Sequence, residues 1–393
     1  MDNKAPLKNR LVIVGNGFDL AHQFPTKYSD FFVNLLFYKF MSANRHHEGY
    51  FEDEYFIILR LHENDFEPAV NIPLSDYLRH KCDALYAITN DNLIQVKKEI
   101  RAERTNLNGI YFYVKDEFLS ELLNKLKEHA WVDIECAYYS KLIELSFPDP
   151  LLRLMKPYNV KDLNNCFEML KNELVKYLKA ENKNMRIMSE KISQIFDYPI
   201  NYDFNHKNRR REDFEKDKPK ESLILNFNYT ETISNYQHKY YWEDDEFQIV
   251  NIHGDLQNKE NPIIFGYGDE MDNSYKKLEL KMEDEYLRFM KNKDYALTTN
   301  YSKLISFVEQ QPFEVYILGH SCGISDRVML NTIFENENCK HIFIFYHQRK
   351  DGTDNFIEVY HNISRQFSLS KRAELRKKVK AKSVSMPLPQ VVI

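Results

Sequence analysis

One run that reads as a buried β-strand, Arg10-Leu-Val-Ile-Val14, stands near the N-terminus, and strand signals return in succession only after residue 220. In between, apolar residues recur at three- and four-residue spacing over 28–41, 112–129, 136–145 and 163–196, the pattern of amphipathic helices. The later strand signals, at 222–226, 247–251, 262–265, 313–318 and 341–345, are short and rich in β-branched or aromatic residues. Residues 326–334 read as a crossover helix between the last two, so that pair is expected to be parallel. The first run suits a strand buried on both faces of a parallel sheet, and the other strands of that sheet come after residue 220. The expected architecture is therefore α/β, a Rossmann-like doubly wound, mostly parallel sheet with a large α-helical insertion. Residues 1–30 and 220–370 form the sheet domain, 31–219 the insertion, and 371–393 a basic, mobile tail.

Glycine placement points to the working end of that sheet. The chain has only ten glycines in 393 residues, against an average usage of roughly 7%. Most of them (Gly15, Gly17, Gly254, Gly266, Gly268, Gly319 and Gly323) flank the strand-like runs. Glycine lets backbone take positive φ or approach a ligand closely, so these segments are candidates for a nucleotide pocket. The first, Gly15-Asn-Gly17 followed by Phe18-Asp-Leu-Ala-His22, reads as strand, tight turn and helix. Such a turn sets a helix N-terminus above the strand end, where a pyrophosphate commonly binds. Leu20 stands where a dinucleotide fingerprint has its third glycine, and Gly-Asn-Gly by itself is also an ordinary turn.

Three further segments fall beyond strand ends. Leu225-Asn-Phe-Asn-Tyr-Thr230 offers amides that bind ribose hydroxyls or orient water, or that cap a turn. Asn251-Ile-His-Gly254 offers His253 as a general base, with Gly254 permitting close backbone approach; a plain core histidine is the alternative. Tyr316-Ile-Leu-Gly-His-Ser-Cys-Gly-Ile-Ser-Asp326 offers Ser321 to a phosphate, and Asp326 either caps the next helix or meets a ribose. Gly319-His-Ser-Cys-Gly323 also spells a nucleophile elbow, with His347 and His361 as bases, although its helix starts too late for one.

Composition removes other classes. Lys plus Arg is 54 against 59 for Asp plus Glu, a net charge of -5, so no global pull toward nucleic acid or anionic membrane is expected. Arg209, Arg210 and Arg211 and the basic stretch 371–382 are the only support for a nucleic-acid-directed effector. No apolar run reaches the roughly 18 residues of a membrane span, and no signal-peptide core is present, so a cytoplasmic protein without a membrane partner is expected. Five scattered cysteines without a C-x-x-C pair fit a reducing compartment, and no metal is expected. Within the insertion, Trp131-Val-Asp-Ile-Glu135 marks a helix start whose acid either stabilises that helix or reaches the pocket.

Taken together, Gly15-Asn-Gly-Phe-Asp-Leu-Ala-His-Gln-Phe-Pro-Thr-Lys-Tyr, Phe227-Asn-Tyr-Thr, Ile252-His-Gly and Gly319-His-Ser with Asp326 resemble the abortive-infection AbiH family of bacterial phage-defence proteins. That family in turn is similar to the sirtuin-like fold. The resemblance covers the motif-bearing ends and leaves residues 40–215 aside. It implies NAD as substrate, held by Gly15, Asn16, Gly17, Phe18, Asp19, Gly254, Gly319, Ser321 and Asp326. It makes Asn228 and His253 the catalytic pair. Thr230 stands where sirtuins carry an acid, and the four sirtuin zinc cysteines are missing, which points to an NAD-consuming defence branch. The implied activity is hydrolysis of NAD to ADP-ribose and nicotinamide, under a phage-derived or cellular trigger, in a chain free to form a homo-oligomer. The rival readings are an NAD or ADP-ribose sensing module without turnover, a serine hydrolase at Ser321, and the nucleic-acid-directed effector.

Overall fold

The structure, a computed structural model, describes residues 8–44, 50–60, 110–128, 133–147, 158–183, 187–202, 204, 218–240 and 247–391. Cys82, Trp131 and Arg209, Arg210 and Arg211 lie outside the described residues. The chain divides into two compact units, 1–26 with 178–393, and 27–177.

The first unit is built on a five-stranded sheet. Its strands are β1 (Asn9–Val14), β5 (Glu221–Asn226), β6 (Phe247–Asn251), β7 (Phe313–Leu318) and β8 (Cys339–Phe345), with β2 to β4 in the other unit. The spatial order is β6-β5-β1-β7-β8, and every pairing is parallel. β1 therefore sits at the centre, and the order reverses there. All six of its residues are buried, as expected for a strand whose Leu-Val-Ile-Val run faces apolar layers on both sides.

Alternation sorts each strand's side chains between two cores. Leu11, Ile13, Leu223, Leu225, Val315, Ile317, Ile342 and Ile344 face one. Val12, Val14, Ile224, Tyr316, Leu318, Phe343 and Phe345 face the other. Each fully buried side chain of this kind contributes about 1.5–3 kcal/mol. Helices cover both faces: α1 (Asn16–Ala21), α6 (Glu190–Phe196) and α7 (Thr232–Tyr240) lie over the second core. On the first core lie α10 (Asn300–Gln310), α11 (Arg327–Phe334) and α12 (Phe356–Gln366). Two short helices, α8 (Asn273–Glu279) and α9 (Lys291–Tyr295), precede α10.

Three local differences from the sequence pattern have physical causes. Residues 262–265 join no strand; the Ile264 N–H instead donates to the His253 carbonyl at 2.8 Å. The helical run over 163–196 is two helices, α5 (Val160–Asn182) and α6. α6 packs on the sheet through Ile192, Ile195 and Phe196 instead of belonging to the inserted unit. Beyond residue 371, α13 (Arg372–Lys378) leads to a segment that crosses from β8 to α1, with the Leu388 N–H on the Tyr346 carbonyl and the Val391 N–H on the Ala21 carbonyl, each at 2.8 Å.

The second unit holds α2 (Tyr28–Asn44), α3 (Glu117–Glu128), α4 (Ile134–Ser146) and the part of α5 up to Tyr177. It also holds an antiparallel sheet of β2 (Tyr50–Glu52), β3 (Phe56–Arg60) and β4 (Ile110–Val114). β4 occupies the start of a segment whose spacing reads as helix; the polar run Lys115-Asp-Glu117 marks where the strand gives way to α3. Asp133 caps α4 by accepting from the Cys136 N–H at 3.0 Å, and Glu135 is buried.

Candidate functional site

The parallel register sets Val14, Asn226, Asn251 and Leu318 in one row across the sheet. Each is the last residue of its strand. The segments 15–19, 227–230, 252–254 and 319–326 therefore leave the sheet side by side at its C-terminal end, around the point where the strand order reverses. Open α/β sheets bind ligands at that location.

The two turns flanking the reversal interlock. The Gly15 N–H donates to the Leu318 carbonyl at 3.1 Å and the Gly17 N–H to the Gly319 carbonyl at 2.8 Å. Gly319 has φ +72, and a Cβ there would lie 2.1 Å from Phe18 N. No side chain fits that approach. Gly319→Ala is expected to cost about 3 kcal/mol or more, from left-handed strain plus backbone overlap. Gly352→Ala, at φ +87 with nothing within 4 Å, is expected to cost only the conformational share, about 1–2 kcal/mol. Urea unfolding of the two variants gives the comparison, and equal losses would mean that the turns do not bear on each other.

Each candidate residue can now be placed. Asn16 is tied within its turn, donating from Nδ2 to the Thr26 carbonyl at 3.0 Å and accepting from the Thr26 hydroxyl. Phe18 is fully buried in the second core. Asp19 is buried and accepts from Thr230 Oγ1 at 2.6 Å. Asn228 is buried and donates from Nδ2 to the Gly15 carbonyl at 3.0 Å. The strand-end amides continue this network, with Asn226 Nδ2 on Asn251 Oδ1 at 2.9 Å and the Asn228 N–H on Asn226 Oδ1 at 3.1 Å. Gly254, at φ +95, turns the chain after His253. Ser321 is exposed, and its carbonyl accepts from Asn362 Nδ2 at 2.8 Å. The α-helix after it starts only at Arg327, behind a short 3-10 turn at Ile324–Asp326. A nucleophile elbow passes directly from its serine into a helix, so this loop lacks that geometry.

Asp326 occupies the N-cap position of α11 but makes no side-chain cap bond. Its carboxylate turns inward. Oδ1 lies 2.7 Å from Lys291 Nζ and 3.1 Å from His253 Nε2, and Oδ2 lies 3.7 Å from His320 Nε2. His253 Nε2 is also 3.1 Å from the Tyr295 hydroxyl. The His320 Nδ1 accepts from the Cys322 N–H at 2.9 Å, which puts the imidazole proton on Nε2, toward Asp326. All five members are buried, Lys291 completely.

Lys291 reaches the cluster through a second glycine-dependent contact. Tyr267 pairs with Met290 in an isolated parallel bridge, and the Lys291 N–H donates to the Tyr267 carbonyl at 3.0 Å. A Cβ on Gly266 would lie 2.1 Å from the Phe289 carbonyl oxygen, so only glycine admits this approach. Lys291, Tyr295 and His320 are cluster members that sequence reasoning did not assign. The first two sit in a polar stretch without strand or motif. Only Gly266 and Gly268, already marked as flanking an apolar run, signal that another segment comes close.

The charges are set by burial and by each other. Burial raises the Asp326 carboxyl, but Lys291, His253 and His320 together hold it well below the usual carboxylate range. Burial lowers His253, with Lys291 adding to the effect and Asp326 opposing it. Burial lowers His320 to about 4 against the pull of Asp326. Near neutral pH the cluster is one ion pair with two neutral imidazoles. Asp19 goes the other way: burial raises it to about 6, against Thr230, Thr232 and Asn228.

A neutral imidazole beside a fixed carboxylate is equipped to take a proton, and the adjacent amides to hold hydroxyl groups. A family model described as bacteriophage abortive infection AbiH matches residues 11–348, most of the chain. No curated protein matches it.

Proposed function

The chain belongs to the bacteriophage abortive-infection AbiH family, which gives it a role in phage defence; we propose that it carries out this role by hydrolysing NAD to ADP-ribose and nicotinamide. The observation that carries the reading is the convergence of Asn228 with the His253, Asp326 and Lys291 cluster at the C-terminal end of the sheet. The sirtuin-like and Rossmann-like interpretation of this domain is part of the same proposal. Exhaustion of NAD in the cytoplasm, released by a phage-derived or cellular trigger, would arrest growth and with it phage replication.

The reaction breaks the bond between ribose C1′ and the nicotinamide nitrogen. The electron pair leaves with nicotinamide, positive charge develops on the sugar, and a water oxygen bonds to C1′. His253 takes the proton that the water releases. Asp326 then faces an imidazolium and stabilises it, while Lys291 keeps Asp326 from competing for the proton. Asn228 orients the ribose or the water. The Gly15, Gly17 and Phe18 N–H groups are already spent on Leu318, Gly319 and Gly15 carbonyls. A pyrophosphate here would therefore meet the partly exposed rim formed by Asn16, Gly17 and Gly319, together with exposed Ser321.

A second reading, an NAD or ADP-ribose sensor without turnover, is favoured by one observation. The Asn228 side-chain amide is engaged with the Gly15 carbonyl and not held out toward a ligand. The test is NAD loss and nicotinamide release by the purified protein, alone and with phage-infected extract, for wild type, Asn228→Ala and His253→Ala. Hydrolysis is expected in the wild type and is expected to be lost in both variants. Calorimetric binding of NAD with no loss in either condition would replace hydrolysis by sensing.

A further inference from the structure

Asp19 is buried to 1% exposure, and its Oδ1 has no hydrogen-bond partner. Leaving a carboxylate oxygen unsatisfied in the interior costs free energy, and a chain that keeps one needs a reason. The surroundings supply it. Asn228 is joined to the first turn through Nδ2 on the Gly15 carbonyl, and two residues later Thr230 is joined to α1 through Oγ1 on Asp19 Oδ2. Thr232 Oγ1 adds a contact to Thr230 Oγ1 at 3.3 Å. These contacts fasten the turn after β5 to the start of α1 at two points, with Asn228 at one and Asp19 at the other.

We propose that Asp19 is a positioning residue for Asn228, its carboxylate holding the 228–230 turn against α1 in the orientation that cleavage requires. This rests on the NAD hydrolase reading for its catalytic consequence, while the coupling of Asp19 to Asn228 is a property of the turn alone. The groups acting on Asp19 from the β5 turn and the start of α7 are uncharged: Thr230, Thr232 and Asn228. On its own helix the titratable neighbour is His22, lowered by burial and bonded through Nδ1 to the Phe18 carbonyl and through Nε2 to the Tyr236 hydroxyl of α7. Burial therefore raises Asp19 to about 6 with no charged partner opposing it, and the Thr230 donor favours its charged form.

The experiment uses Asp19→Asn and Thr230→Val in the full chain. Wild-type turnover is expected to show an inflection near pH 6, with the rate rising as Asp19 ionises. In Asp19→Asn that inflection disappears and kcat falls about tenfold or more, the equivalent of losing a hydrogen bond to a charged group. The same variant unfolds at higher urea at pH 7.5, because the desolvated carboxylate is gone. In Thr230→Val the inflection moves upward, since a donor that lowered Asp19 is removed. A merely structural carboxylate predicts the reverse, a less stable Asp19→Asn whose pH profile keeps its inflection. In parallel, carbon-13 carboxyl resonances of aspartate-labelled protein identify Asp19 as the signal lost in Asp19→Asn. If that signal titrates in the ordinary aspartate range, or is unmoved by Asn228→Ala and Thr230→Val, the proposal is overturned whatever NAD does. If wild type consumes no NAD even with infected extract while Asn228→Ala still raises the Asp19 titration, the hydrolase reading fails and the coupling is supported.

Discussion

Lys291→Met is expected to destabilise the folded protein by about 3–5 kcal/mol at pH 8, the cost of leaving one buried charge without its partner, and by distinctly less at pH 6. Asp326 would then keep its charge with only two neutral imidazoles beside it. Lys291 is one of the groups that lower His253 and His320, so its removal lets both rise under the pull of Asp326. Below their new values the folded state takes up a proton and the pair is re-formed as imidazolium and carboxylate. A raised histidine contributes stability at low pH and loses it as pH rises, which fixes the sign of the difference. Urea unfolding at both pH values reads the effect. A cost independent of pH would mean that neither imidazole replaces the ammonium, and Asp326→Asn on top of Lys291→Met should then recover stability equally at both pH values. Recovery by that second change would identify the stranded carboxylate as the cause.

The second large effect is expected at the opposite end of the sheet. Arg10 on β1 and Glu314 on β7 stand opposite each other in register and are both fully buried. Arg10 donates from Nε and Nη2 to Glu314 Oε1 at 2.9 and 2.8 Å, and also from Nη1 to the Phe196 carbonyl and from Nη2 to the Tyr198 and Pro199 carbonyls. Its guanidinium also lies 4.2 Å from the centre of the Tyr316 ring. Glu314 Oε2 accepts from the Asn201 N–H at 2.9 Å. Arg10→Met strands Glu314 and frees three carbonyls, so a loss of about 3–5 kcal/mol or more is expected. Glu314→Leu alone strands Arg10 in the same way. The double variant has no buried charge, and its cost should fall well below the sum of the singles, which is the signature of direct coupling. Additive losses would show that the carbonyl contacts, and not the ion pair, hold the 196–201 segment on the sheet.

How much of this was legible in the sequence depends on how local each signal is. β1 was legible because four consecutive apolar residues end in a glycine turn, and β5, β6, β7 and β8 because each carries the same short pattern. The convergence of 15–19, 227–230, 252–254 and 319–326 was legible in outline, since parallel strands deliver their following residues to one end. The role of Asp326 was only half legible. Its position before a helix suggests a cap or a ribose contact, whereas the carboxylate faces Lys291, a residue 35 positions earlier that no local pattern announces. Lys291 arrives through backbone pairing of 267 with 290, a long-range event for which only glycines at 266 and 268 leave a trace. Likewise the spacing over 163–196 gives helix correctly, but not that its last part, Glu190–Phe196, covers the sheet, because Arg10 makes that assignment from far away. Thr230 looked like a missing acid along the chain; in space Asp19 puts a carboxylate beside it.

The central position of β1 also governs the order in which this protein can assemble. Its two neighbours are β5 and β7, so Val14 meets Asn226 on one side and Leu318 on the other. Ladders of such sequence separation close slowly, because the entropy of a long loop is spent before any contact is gained. During synthesis the Leu-Val-Ile-Val segment therefore emerges early and has no permanent partner until some two hundred residues later. An unpaired apolar strand is a template for association with other chains. Nascent or truncated chains that end before β5 should be the species that bind chaperones and aggregate, whereas chains that reach β7 can seal both edges of their first strand at once.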